Sequence, residues 1–141
     1  MSRLGNLASN LQEQQAVYAK MLQQEQAKAS ALVAGDTDAL RPVMGAQQAL
    51  LAHAKALEDK RVALCEAFGP VTLRELIESG EEYRAALEPE FTQLGETVLA
   101  LKKLGARNQK LLETRLDTIR FMSEQLGLNA VTYSRGVKAK V

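Results

Sequence analysis

Three long stretches of this chain repeat their apolar residues at alternating spacings of four and three, a rhythm that only helices packing along one face can use. In the first, from about Leu4 to Val33, the row is Leu4, Ala8, Leu11, Gln15, Tyr18, Leu22, Glu25, Ala29 and Leu32. In the second, from about Asp38 to Phe68, it is Leu40, Val43, Gln47, Leu50, Ala54, Leu57, Arg61, Leu64 and Phe68. In the third, from about Glu81 to Leu126, it is Leu94, Val98, Leu101, Gly105, Asn108, Leu112, Arg115, Ile119, Met122 and Leu126. Leu104, Leu111, Leu116 and Phe121 widen that last stripe. Polar residues interrupt each row, and the remaining side of the first helix is rich in Gln, Glu and Lys, as a solvated face would be.

The breaks between these stretches have local causes. Gly35 suits the left-handed position that closes a helix, and Asp36 is a strong N-cap for the next. So short a turn joins the first two helices as an antiparallel hairpin. Pro42 lies near the start of the second helix, where a missing N–H matters least, and at most bends it. Gly69-Pro70 ends that helix. Thr72-Leu73-Arg74-Glu75 is a capping box and opens a short helix to about Glu78, after which Ser79-Gly80 breaks the chain. Pro89 either kinks the last helix or resets its start. Gly95 and Gly105 each cost about 1 kcal/mol of helix propensity, which close approach of a neighbouring helix would explain. The expected fold is all-α: an elongated antiparallel bundle or coiled coil of three long helices plus a short connecting one. It forms a single helical domain over residues 1–126. Beyond Gly127 the periodicity stops, and 127–141 reads as a disordered tail.

Composition agrees and narrows the function. Hydrophobic residues make up 46% of the 141 residues but aromatics only 4%, and with 9 Gly and 3 Pro the chain is short of strand-and-turn material. The net charge of +1 gives no global attraction to nucleic acid or anionic membrane. No helix combines a basic stripe with interleaved aromatics, so nucleic-acid binding is not expected. Glu75, Glu78, Glu81, Glu82, Glu88, Glu90 and Glu96 face only Arg74 and Arg84 in the middle region, which reads as a solvated connection. The single cysteine, Cys65, rules out an intramolecular disulfide framework and fits a reducing cytosol. No signal-peptide core and no membrane-length apolar run is present. The expectation is a cytoplasmic protein without membrane insertion.

Catalytic patterns are missing. His53 is the only histidine, so paired-His metal sites and di-iron bundles are ruled out, and nucleophile pairs would all depend on it. His53 reads as a surface or groove residue, and Cys65 as a small packed hydrophobe. The glycines are isolated helix breaks rather than a phosphate loop. The chain reads as a non-enzyme with no cofactor and no metal.

Four short segments carry a family resemblance. They are the junction Ala31-Leu32-Val33-Ala34-Gly35-Asp36, the pair Lys60-Arg61, the segment Asn108-Gln109-Lys110-Leu111-Leu112-Glu113, and the terminal Tyr133-Ser134-Arg135-Gly136. Each is degenerate, but in this order and spacing they resemble the FlgN family of flagellar type III export chaperones. The resemblance implies a cytoplasmic chaperone that binds the hook–filament junction proteins FlgK and FlgL. It would keep them export-competent and deliver them to the export gate, using no nucleotide itself. It places substrate contact on Asn108, Leu111, Leu112, Leu116, Ile119 and Met122, and docking to the FlhA gate component on Tyr133 and Gly136. Such a chaperone would be a monomer or a weak homo-oligomer. The competing reading is a structural or adaptor coiled coil that oligomerises through its seams.

Overall fold

The first helix of the computed structural model is held at both ends by the residues its sequence puts there. The structure describes residues 2–126. Helix α1 spans Arg3–Ala34; the Ser2 side chain accepts from Gly5 N at its start, and Gly35, at φ 72°, closes it. Asp36 then accepts from Ala39 N and opens α2, Thr37–Glu66. Thr72 and Glu75 form both halves of the capping box of α3, Leu73–Glu78. Helix α4, Glu81–Gln125, runs through Pro89 without restarting. Pro89 lies only two turns in, so the one hydrogen bond it forfeits does not break a 45-residue helix. Among the described residues the chain is helical with no strand.

The contacts define an up-down-up path. Asn10 Nδ2 donates to the Leu57 carbonyl (3.0 Å) and Gln47 Nε2 to Glu25 (2.6 Å), so α2 runs antiparallel to α1. Gln12 meets Glu90, Gln15 meets Thr97, and Leu32 meets Arg115, so α4 runs parallel to α1. Helix α1 packs along both α2 and α4, whereas α2 and α4 have no comparable contact with each other. Being central, α1 buries two faces. Its second face, Asn10, Gln14 and Val17, belongs to the side that reads as solvated in the sequence; it is buried because α2 covers it.

The apolar core is concentrated at one end. Leu7, Leu11, Cys65, Leu73, Leu76, Ile77 and Leu87 form a buried cluster, with Phe68, Tyr83, Phe91 and Leu94 packed against it. Phe68 and Tyr83 meet edge to face at 6.0 Å between centroids, and the Arg74 guanidinium lies 5.7 Å from the Phe91 ring. Burying Leu7, Leu11 and Leu87 fully contributes about 1.5–3 kcal/mol each. A smaller cluster of Val17, Ala54 and Leu57 joins α1 to α2. Helix α4 enters the core through its first four turns only.

Close packing does not explain Gly95 and Gly105. A Cβ at either position would meet nothing within 4 Å. Gly95→Ala and Gly105→Ala should each stabilise the fold by up to about 1 kcal/mol in urea unfolding. Gly35→Ala should destabilise it: its φ is left-handed, and a Cβ there would lie 2.8 Å from Arg115 Nη1.

Candidate protein-docking site

The outer half of α4 is docked on α1 outside the main apolar cluster, through buried polar groups as well as half-buried Leu101, Leu104 and Leu112. Gln15 Nε2 donates to Thr97 Oγ1 at 2.9 Å. Asn108, fully buried, donates from Nδ2 to the Glu25 carbonyl at 2.8 Å and to Glu25 Oε2 at 2.5 Å. Arg115 Nη2 donates to the Leu32 carbonyl at 2.7 Å, placing a cation against the C-terminal end of α1, where the helix dipole favours it. Two of these residues leave a buried acceptor without a partner, Gln15 Oε1 and Asn108 Oδ1. Such atoms lose hydration without regaining a hydrogen bond, so the docking is weaker than its bond list suggests.

Glu25 is where all three long helices meet. Besides Asn108 it accepts from Gln47 Nε2 of α2 and from Lys28 Nζ at 3.3 Å. Burial alone would raise its pKa, but the hydrogen bonds from Asn108 and Gln47 together with the Lys28 charge bring it below its ordinary value. Glu58 is also lowered, chiefly by the hydrogen bond from Arg61, whose Nε lies 3.0 Å from both carboxylate oxygens.

Past Arg115, which is level with the end of α1, α4 continues ten residues to Gln125, roughly 15 Å. This overhang exposes Leu116 (47%), Phe121 (60%), Met122 (53%) and Leu126 (69%) among polar residues, while Ser123 is buried (3%). Of the sequence-derived substrate residues, Leu116 and Met122 therefore lie in the open. Leu111, Leu112 and Ile119 are half-buried. Asn108 is enclosed and faces Glu25 rather than solvent. Tyr133 and Gly136, and the expected tail, lie outside the described residues.

A second apolar surface was not apparent from the seams. Because α2 and α4 flank α1 without closing on each other, a cleft runs between them over α1. One part of it, 740 Å³, is floored by Leu11 and Gln14 and walled by Val62 and Cys65 on one side and Phe91 and Val98 on the other. The other, 400 Å³, is floored by Met21 and Glu25, with Met44 and Leu51 opposite Leu101 and Gly105. Met44, Leu51 and Val62 each follow a member of the α2 seam by one position. That offset row, a doubled apolar stripe, was the available signal. On α4 the cleft row Val98, Leu101 and Gly105 continues at helical spacing into Leu112, Leu116 and Ile119. Among the described residues no cluster of His, Cys, Asp and Glu could hold a metal, and no helix is long and apolar enough to cross a membrane.

Two outcomes test the polar docking. Asn108→Ala should lower stability by about 1.5–3 kcal/mol in urea unfolding, with faster amide exchange confined to α4 beyond Val98. Acid should act at the same place. Glu25 and Glu58 have folded pKa values below their ordinary 4.5, so their stabilisation is complete above about 4.5 and is lost as pH falls through the lower folded values. A urea midpoint that does not fall between pH 6 and pH 3.5, or falls equally in Glu25→Gln, contradicts this for Glu25.

Comparison with known proteins returns one assignment. The family model described as FlgN protein matches residues 1–137. No curated protein and no solved structure matches the chain. A match over nearly the whole sequence shows the family: the chain belongs to the FlgN family of flagellar export chaperones.

Proposed function

We propose that the protein is a cytoplasmic chaperone for hook–filament junction proteins of the FlgK and FlgL type. It keeps them export-competent and hands them to an FlhA-like component of the type III export gate. Family membership supplies the export role. The observation that carries the substrate site is the α4 overhang, whose exposed Leu116, Phe121, Met122 and Leu126 have no covering element among the described residues. An amphipathic helix from an unfolded export substrate would cover such a face, burying apolar area at about 25 cal/mol per Å² before ordering costs.

In this reading Leu112, Leu116, Ile119 and Met122 contact the substrate directly. Leu111, half-buried, lies at the edge of the contact. Asn108 reaches substrate only once the outer half of α4 lifts from α1, which its unpartnered Oδ1 favours. Tyr133 and Gly136 engage the gate. The helical domain, residues 1–126, works as a monomer or weak homo-oligomer and uses no nucleotide, cofactor or metal.

The test uses positions whose exposure spares the fold. Leu116→Asp with Met122→Asp should abolish co-purification with the C-terminal segments of FlgK-like and FlgL-like proteins while the circular dichroism spectrum is unchanged. Retained binding removes the overhang from the site. Tyr133→Ala should preserve that binding and reduce export; loss of binding would place Tyr133 with the substrate instead.

A further inference from the structure

Past the main apolar cluster, α4 has one neighbour among the long helices. It lies against α1, and α2 makes no comparable contact with it. After Leu87 the buried residues of α4 are Asn108 and Ser123, both polar. The leucines docked on α1, Leu101, Leu104 and Leu112, are half-buried. Asn108 keeps an enclosed Oδ1 without a partner, and so does Gln15 at its Oε1, although its Nε2 holds Thr97. This stretch is therefore held to one surface by ties that each leave something unsatisfied.

Two glycines mark its boundaries. Gly95 directly follows Leu94, the last residue of α4 packed against the main cluster. Gly105 lies between the Thr97 and Asn108 ties, three residues before Asn108. Neither is required by packing, since a Cβ at either would meet nothing within 4 Å. Neither is required by backbone geometry, since neither has a positive φ. Each weakens the local helix by roughly fivefold against alanine, and the docked state gains no contact in exchange. What such a glycine does supply is a point where the backbone gives way at low cost.

We infer that Gly95 and Gly105 are the hinges of an arm that opens to take substrate. Residues 96–125, roughly 45 Å of helix, swing from α1 about Gly95, and Gly105 frees the part that carries Asn108 and the overhang. Opening bares the inner row Leu101, Leu104 and Leu112 beside the exposed Leu116 and Met122, so substrate contact extends from the overhang along the arm. Glu25 returns the empty arm to α1, because its buried carboxylate needs the Asn108 donor. The inference rests on the chaperone role proposed above.

Stabilising the arm should impair it. Gly95→Ala with Gly105→Ala should raise the urea midpoint, yet slow amide exchange in residues 98–125 by about fivefold or more. It should slow association with the FlgK-like or FlgL-like C-terminal segment by a similar factor in stopped-flow mixing, because the open state is less populated. Gly45→Ala is the control: it lies on α2, also with nothing within 4 Å of its Cβ position, and should raise the midpoint while leaving both rates unchanged. Wild-type protein that binds neither segment overturns the chaperone reading itself. Equal association of wild type and the double variant overturns the hinges alone, as does exchange in 98–125 that the double variant leaves as it was. Association slowed as much by Gly45→Ala would reflect general stiffening and also overturn them.

Discussion

Glu25 holds the arrangement of the three long helices. It lies on α1, is 8% exposed, and accepts hydrogen bonds from Asn108 of α4, from Gln47 of α2 and from Lys28 one turn along its own helix. A carboxylate buried to this degree is tolerable only while those donors are in place, since an unpaired charge there would be strongly destabilising. Leucine seams alone permit many registers, because one apolar contact resembles the next. A buried polar group meets its partners in one register only. Glu25 thereby sets where both α2 and α4 sit along α1, while the apolar cluster around Leu7, Leu11 and Leu87 supplies most of the burial.

The consequence is a helix anchored unequally along its length. Up to about Leu94, α4 is embedded in the core. Beyond it, the polar ties to α1 are made by Thr97, Asn108 and Arg115, and two of them involve a side chain with an unpartnered buried oxygen, Gln15 and Asn108. The strong end keeps the domain folded. The weaker end exposes apolar side chains, Leu116, Phe121 and Met122. A chaperone needs that combination: binding surface that stays soluble while empty, and a scaffold that does not unfold when the surface is used.

Much of this was legible in the sequence. Each long helix ends within two residues of its expected bounds because Gly35, Asp36, the Thr72–Glu75 box and Gly80 act through local backbone chemistry that needs no tertiary information. Gln15, Glu25, Gln47, Asn108 and Arg115 stood out as breaks in apolar rows. Their partners did not, because a row shows that a face is buried and not which helix buries it. For the same reason Asn10 and Gln14 read as solvated, and Met44, Leu51 and Val62 did not enter the second helix's apolar row. The cleft exists because α1 is central and α2 and α4 stay apart, a property of three helices together. The glycines at 95 and 105 looked like sites of close packing; they border open space instead.

Amide hydrogen exchange along α4, in the free protein and in its complex with a FlgK-like or FlgL-like C-terminal segment, tests the account most directly. In the free protein, residues 98–125 should exchange well ahead of residues 83–94, and the complex should slow exchange in 98–125. Uniform protection along free α4, or a complex that leaves 98–125 unchanged, would contradict it.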